Sequence, residues 1–208
     1  MTTPPGTSPP GTFAVCVYCA SSDRIAPHYL ELAHAVGRGI AARGWTLVSG
    51  GGKHSMMGAV ANGARAGGAR TVGVIPRSMV EREWADTDAD ELHVTASMRE
   101  RKQQMEDRAD AFLTLPGGIG TCEELFEVWS AGALDLHVKP VVMLDPDGHW
   151  RGLLDWVAGL TGRGFAGPGP MQRLRVVTDV TAALDACAPD RVDHERRADG
   201  ATRGVGPA

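Results

Sequence analysis

The chain has 208 residues, 43% hydrophobic and 22% charged, a size and balance that fit one globular α/β domain better than two. Its formal net charge of −4 excludes the global basic field that draws nucleic acid or an acidic membrane, which leaves small-molecule ligands as the better expectation. No stretch approaches the roughly 18 consecutive apolar residues of a membrane span, and the opening MTTPPGTSPPGT lacks the charged and apolar segments of a signal peptide, so a cytoplasmic location is expected.

Residues 1–12, rich in Pro, Gly, Thr and Ser, read as a disordered tail. FAVCVY (13–18) follows as the first strand. Cys16 and Cys19 have the spacing of a redox or metal pair, but residues three apart on a strand point to opposite faces, so the two are not expected to share a ligand. Ser21, Ser22 and Asp23 close that strand and either contact a ligand or cap the helix that begins near Pro27.

Helical spacing covers 28–44, followed by the strand TLVSG (46–50), a helix over 55–68, and the strands TVGVI (71–75) and ELHVT (91–95). A helix over 98–110, the strand AFLTL (111–115), a helix over 121–136 and the strand VVMLD (141–145) come next. A helix over 150–161, the strand LRVVTD (174–179) and a helix over 181–187 complete the pattern, and the polar residues 189–208 read as a second disordered tail. About seven apolar strands separated by helices specify an α/β fold over 13–188, a doubly wound, mostly parallel sheet flanked by helices. Ligands in such sheets bind beyond the carboxyl ends of the strands, so the strand-to-helix turns carry the functional interest.

Two of those turns are glycine-rich. SGGGKHSMMG (49–58) is neither a P-loop, since Leu47 and His54 stand where glycine and a hydroxyl are needed, nor a dinucleotide turn, since Ser55 replaces the third glycine. It is either a surface for close backbone approach to a ligand or a tight structural turn. PGGIGT (116–121) also fails the dinucleotide pattern, because Glu123 stands at the third glycine position, where a diphosphate would meet a carboxylate. Free N–H groups over 118–121 and the positive end of the following helix still favour one phosphate, so a monophosphate fits best.

Glu124 lies within the first turn of that helix, next to Glu123 and followed by Glu127, which is more acid than capping requires. A carboxylate in the field of a helix N-terminus is biased towards its ionised form, which suits a base, a nucleophile or a stabiliser of positive charge. In MRERKQQM (98–105), helical spacing puts Met98, Arg101, Lys102 and Met105 on one side, while Arg99 and Glu100 fall towards solvent. Two cations on an apolar face either snorkel past the methionines or find a buried partner such as Glu124. The seven histidines show no metal-binding spacing.

Taken together, GGGKHSMMG, MRERK and PGGIGTCEE resemble the LONELY GUY (LOG) family of cytokinin riboside 5'-monophosphate phosphoribohydrolases, many once labelled lysine decarboxylases. The resemblance runs from about residue 13 to 188, with a core P-G-G-x-G-T-x-x-E at Pro116, Gly117, Gly118, Gly120, Thr121 and Glu124 and an upstream Arg-Lys pair at Arg101 and Lys102. It implies a Rossmann-like homodimer that hydrolyses the N-glycosidic bond of N6-modified adenosine 5'-monophosphates, and AMP as a further candidate, with neither metal nor cofactor. It assigns catalysis to Arg101 and Glu124. It assigns ligand contacts to Glu83, Lys102, Gly51, Gly52, Met98, Gly118, Ile119, Gly120, Thr121, Cys122, Glu123 and Ser130, the last at a position where many relatives carry threonine. Two other readings stand beside it: a general AMP nucleosidase, and a nucleotide- or cofactor-binding module without hydrolysis. A pyridoxal phosphate decarboxylase would need a Schiff-base lysine, and neither Lys53 nor Lys102 has the expected surroundings.

Overall fold

A computed structural model describes residues 12–83 and 85–188; the expected tails, apart from residue 12, lie outside the described residues. The first half runs β1 (Ala14–Tyr18), α1 (Pro27–Ala42), β2 (Thr46–Ser49), α2 (Ser55–Ala66), β3 (Thr71–Pro76), a 3-10 turn (Arg77–Met79), α3 (Val80–Glu83) and β4 (Glu91–Thr95). The second half runs α4 (Met98–Arg108), β5 (Ala111–Thr114), α5 (Ile119–Ala133), β6 (Val141–Leu144), α6 (Arg151–Gly162), α7 (Gly169–Arg173), β7 (Leu174–Val177) and α8 (Val180–Cys187). All seven expected strands are present. The short helices α3 and α7 were not expected: four or five residues give no periodic signal, and α7 sits behind the loop-like FAGPGP.

The seven strands form one sheet in the order β4-β3-β2-β1-β5-β6-β7, every pairing parallel. Parallel strands need helical crossovers, and these cover both faces. Val15, Val17 and Cys19 point into a layer with Val36 and Ile40 of α1, Met56 and Val60 of α2, and Leu184 of α8. Ala14, Cys16 and Tyr18 point into the opposite layer with Met105 of α4, Leu125 and Val128 of α5, and Val157 of α6. Cys16 and Cys19 thus lie on opposite sides of the sheet, as their spacing requires. Each fully buried Leu or Val in these layers contributes about 1.5–3 kcal/mol relative to exposure, and strands such as AVCVY are buried at every position.

The order also fixes where a ligand can sit. From β1 the chain steps outward to the edge strand β4, then returns along the α4 side of the sheet to place β5 against the other flank of β1. The direction of winding therefore reverses between β1 and β5, and in doubly wound sheets the ligand crevice lies above the carboxyl ends of the strands at such a reversal. Leu115 N–H to Tyr18 O at 2.9 Å and Ala20 N–H to Pro116 O at 3.2 Å zip the two strand ends together just below it.

The far flank is fastened by Asp90, whose carboxylate accepts from the Thr71 backbone N–H at 2.7 Å and the Thr71 hydroxyl at 3.0 Å. The Thr71 backbone bond, chiefly, holds the Asp90 carboxyl below its ordinary value. A depressed folded-state pKa means that this stabilisation is complete above the unfolded aspartate value and fades as pH falls through the lower folded one. Asp90→Ala leaves the buried Thr71 N–H without that acceptor and should cost about 1–3 kcal/mol at neutral pH. Urea unfolding of both proteins should show that gap narrowing near pH 3, below the ordinary aspartate value of roughly 3.9; a gap independent of pH would refute the assignment.

Candidate active site

The residues facing the crevice come from five segments, and the sequence explains how each is held. After β2, Gly50 and Gly51 turn the chain, with Gly51 in the left-handed region at φ +73°. Gly51 O accepts from Asp86 N–H at 2.8 Å, and Gly52 bridges Ala85. The segment after α3 is thereby stitched onto the glycine turn, and Asp86 is anchored to Arg65 of α2 at 2.7 Å. Gly51 and Gly52 are buried beneath this segment. Glu83 closes α3 one stitch away from them, and its side chain lies outside the described residues.

After β1, Ser22 O accepts from Ser55 Oγ at 2.7 Å, tying the first loop to the start of α2. The alternative that Ser21 to Asp23 cap α1 is corrected here: the N-cap is Ala26 and Pro27 supplies the first helical position, so the entry to α1 rests on proline's fixed φ rather than on a side-chain bond.

Helix α4 begins with Ser97 as N-cap, its hydroxyl accepting from Glu100 N–H at 3.2 Å, while the Glu100 carboxylate reaches back to Ala96 N–H at 2.8 Å. That reciprocal pair sets the helix phase and aims Arg101 inward. Arg101 is 6% exposed. Its Nε donates to Val74 O at 3.0 Å, its Nη2 to Gly50 O at 3.4 Å and its Nη1 to Glu124 Oε1 at 2.9 Å. One guanidinium therefore ties the end of β3, the turn after β2 and the start of α5. Gly50 is bare for that reason: a Cβ there would stand 1.9 Å from Arg101 Nη2.

The expected four-residue stripe on α4 is only half realised. Arg101 and Met105 are buried, whereas Met98 is 38% exposed and Lys102 leans along the outer side of α5. Lys102 bonds both Glu123 and Glu127, the latter at 2.6 Å. Burial alone would lower the Lys102 ammonium, but these two carboxylates outweigh it and hold it above its ordinary value. Glu106, half-buried on the same helix, is raised by its burial and then by the charge of Glu127.

Helix α5 opens two residues earlier than the periodicity placed it, at Ile119 with Gly118 as N-cap. No side chain caps it, so its leading N–H groups are offered to the crevice. A Cβ at Gly118 or Gly120 would meet nothing within 4 Å, and Gly118, Ile119 and Gly120 are exposed. Protein packing thus accounts for the bareness of Gly50 but not for that of Gly118 and Gly120, which leave open space over the helix start. Thr121 is buried, Cys122 is half-buried with its thiol raised by burial, and Glu123 is exposed.

Glu124 sits one turn into α5 with its side chain 11% exposed. Cys16 and Cys19, near the end of β1, have thiols raised first by burial and next by the charge of Glu124, which places that carboxylate at the β1/β5 switch point. Ser130 is not brought to this group. Six residues beyond Glu124, it lies about 9 Å along the helix and roughly 240° around it, exposed.

Sequence reasoning missed the brace beneath Gly117. His149, in the loop after β6, puts Nε2 2.9 Å from Gly117 O. A partner 32 residues away leaves no local signal. The missed acceptors of Arg101 are main-chain carbonyls and carry no residue-type signal.

The assembly is a carboxylate held by a buried guanidinium, beside an uncapped helix start with room above it: an anion position next to a site that favours positive charge. A family model described as "Possible lysine decarboxylase" matches residues 57–187. The chain is 59% identical over 179 residues to the cytokinin riboside 5'-monophosphate phosphoribohydrolase of Mycobacterium tuberculosis, covering 86% of this chain and 95% of that one. It is 57% identical over 180 residues to the protein of the same name from Mycobacterium marinum, covering 86% and 96%. Among solved structures, the molybdenum cofactor binding protein of Rippkaea orientalis superposes with a TM-score of 0.63 at 20% identity, over 85% of this chain and 96% of that one. That likeness concerns the fold alone.

Proposed function

The chain belongs to the family of cytokinin riboside 5'-monophosphate phosphoribohydrolases, and from that membership we propose how residues 13–188 act as one catalytic unit on a cytokinin riboside 5'-monophosphate. Water cleaves the bond between C1' of the ribose and the purine nitrogen, giving the free base and ribose 5-phosphate. The observation that carries this reading is the Arg101–Glu124 pair, 2.9 Å apart and almost fully buried beside the uncapped start of α5.

The 5'-phosphate takes the N–H groups of Gly118 to Thr121, where the helix contributes about half a positive charge. As the glycosidic bond stretches, its electron pair leaves with the base and C1' becomes cationic. Glu124 faces that charge and stabilises it, or orients the water that adds to C1'. Arg101 fixes the carboxylate and keeps it ionised. Met98, Ile119, Cys122 and Glu123 are assigned to the approach, Lys102 to holding Glu123, and the buried Gly51 and Gly52 to the floor beneath the segment that follows Glu83. A decarboxylase reading is disfavoured by Lys102, which two glutamates hold protonated, the opposite of what a Schiff-base lysine needs.

A homodimer in the cytoplasm completes the proposal. Leu134, Leu136 and Val138, all at least 70% exposed after α5, form apolar surface suited to a partner. Ser130, remote from its own chain's pair, serves a site only across such a dimer. Four free cysteines fit a reducing compartment.

The testing experiment is base release, followed by chromatography, from N6-isopentenyl-AMP and AMP in parallel; tight binding of both without release would remove the hydrolase. Gly50→Ala supplies a second test. Its methyl group displaces the guanidinium that Val74 and Glu124 hold, and a misplacement near an ångström should lower turnover on the order of a hundredfold. Unchanged turnover in a folded variant would show that the placement of Arg101 is not what the reaction needs.

A further inference from the structure

Beyond the Arg101–Glu124 pair, the loop after β6 and the start of α1 share a group of side chains that the reaction does not use. Tyr29 Oη donates to Asp147 Oδ2 at 2.7 Å, and His28 Nε2 stands 3.5 Å from the same oxygen. Asp147 Oδ1 accepts from the His149 N–H at 3.3 Å, so the carboxylate joins the start of α1 to the His149 backbone. The His149 ring lies edge-on to Trp150, centroids 4.6 Å apart, and edge-on to Tyr29 at 6.2 Å. Trp150 is buried, which gives the exposed imidazole a rigid seat.

That seat aims the ring at one residue. His149 Nε2 lies 2.9 Å from Gly117 O and 3.3 Å from Gly117 N. With a proton on Nε2 the ring donates to the carbonyl; without one it accepts from the N–H. Either bond pins Gly117, the residue that leads into the bare segment Gly118–Gly120. Glycine peptides have the largest conformational freedom to lose, so an unpinned turn would have to be ordered by the ligand itself, at the expense of affinity.

We propose that His149 is a positioning residue for the anion-binding turn: seated on Trp150 and set by the Tyr29–Asp147 contact, its imidazole holds Gly117 so that the first N–H groups of α5 meet the ligand phosphate already in place. The inference rests on the reading that this turn receives the 5'-phosphate.

Calorimetric binding of ribose 5-phosphate to the full chain tests it without needing turnover. His149→Ala should weaken that binding on the order of five- to tenfold, the scale of one hydrogen bond. His149→Gln, whose amide can still donate to Gly117 O, should stay within about twofold of wild type. His149→Phe keeps the ring on Trp150 but loses the Gly117 bond, and should bind as weakly as the alanine variant. If the ring were merely packing, phenylalanine would restore binding and glutamine would not, and that pattern overturns the proposal, as does unchanged binding in His149→Ala. With nucleotide as substrate, His149→Ala should raise KM by the same factor and leave kcat within about twofold. Base release by wild type separates the two readings. A wild type that releases base while His149→Ala binds ribose 5-phosphate normally removes the brace and keeps the reaction. Weakened binding in the variant with no base release by wild type does the reverse.

Discussion

Glu124→Gln should lower base release from a nucleoside 5'-monophosphate by about 10²- to 10⁴-fold, the range for a positioned acid, base or charge, while ribose 5-phosphate binding stays close to wild type and the fold is kept at reduced stability, since the buried Arg101 loses its counter-ion. Glutamine keeps the size of the side chain and an oxygen that can accept from Arg101 Nη1, so the turn and helix start survive. What is lost is the negative charge facing C1', and with it the interaction that strengthens as the ribosyl cation forms. The effect should therefore fall on kcat rather than on KM. Chromatographic assay of released base beside a binding titration separates the two, and near-normal turnover would remove Glu124 from the mechanism.

Arg101→Met should cost more than activity. Arg101 and Glu124 have side chains only 7% and 11% exposed, and removing one charge of a buried pair costs about 3–5 kcal/mol. The Gly50 and Val74 carbonyls lose a donor in the same step. Turnover should fall at least as far as in Glu124→Gln, and urea unfolding should show the destabilisation. The double variant Arg101→Met with Glu124→Gln is the discriminating measurement: stability should partly return, because the buried carboxylate that lost its guanidinium is now neutral, while turnover stays lost. A double variant as unstable as Arg101→Met alone would show that the carbonyl bonds, not the ion pair, carry the stability. Lysine is no substitute, since it lacks the planar fork that reaches three acceptors at once.

The sheet was legible because both of its faces are covered. Strands such as AVCVY and AFLT are buried at every position and mostly apolar, and the helices between them repeat at helical spacing. PGGIGTCEE likewise announced a glycine turn into a helix that carries a carboxylate in its first turns. The partners of Arg101 were less legible. Its acceptors Gly50 O and Val74 O lie 51 and 27 residues away and belong to the main chain, so no side-chain pattern encodes them. The triple glycine was read as room for a ligand or as a tight turn, whereas at Gly50 the room is filled by the arginine itself. Helical spacing put Lys102 on the same face as Arg101; adjacent positions are about 100° apart, enough for one to enter the core and the other to meet Glu123 and Glu127.

That outward lysine bears on which nucleotides the protein leaves alone. Along the paired groups of α4 and α5, two cations, Arg101 and Lys102, face three carboxylates, Glu123, Glu124 and Glu127. Both positive charges are already engaged, and the surplus is negative. On the proposed reading, backbone N–H groups serve one phosphate, whereas a second or third would enter a field of its own sign. If that turn holds the substrate phosphate, the carboxylates beside it disfavour nucleoside di- and triphosphates and leave the monophosphate as the form that is cut.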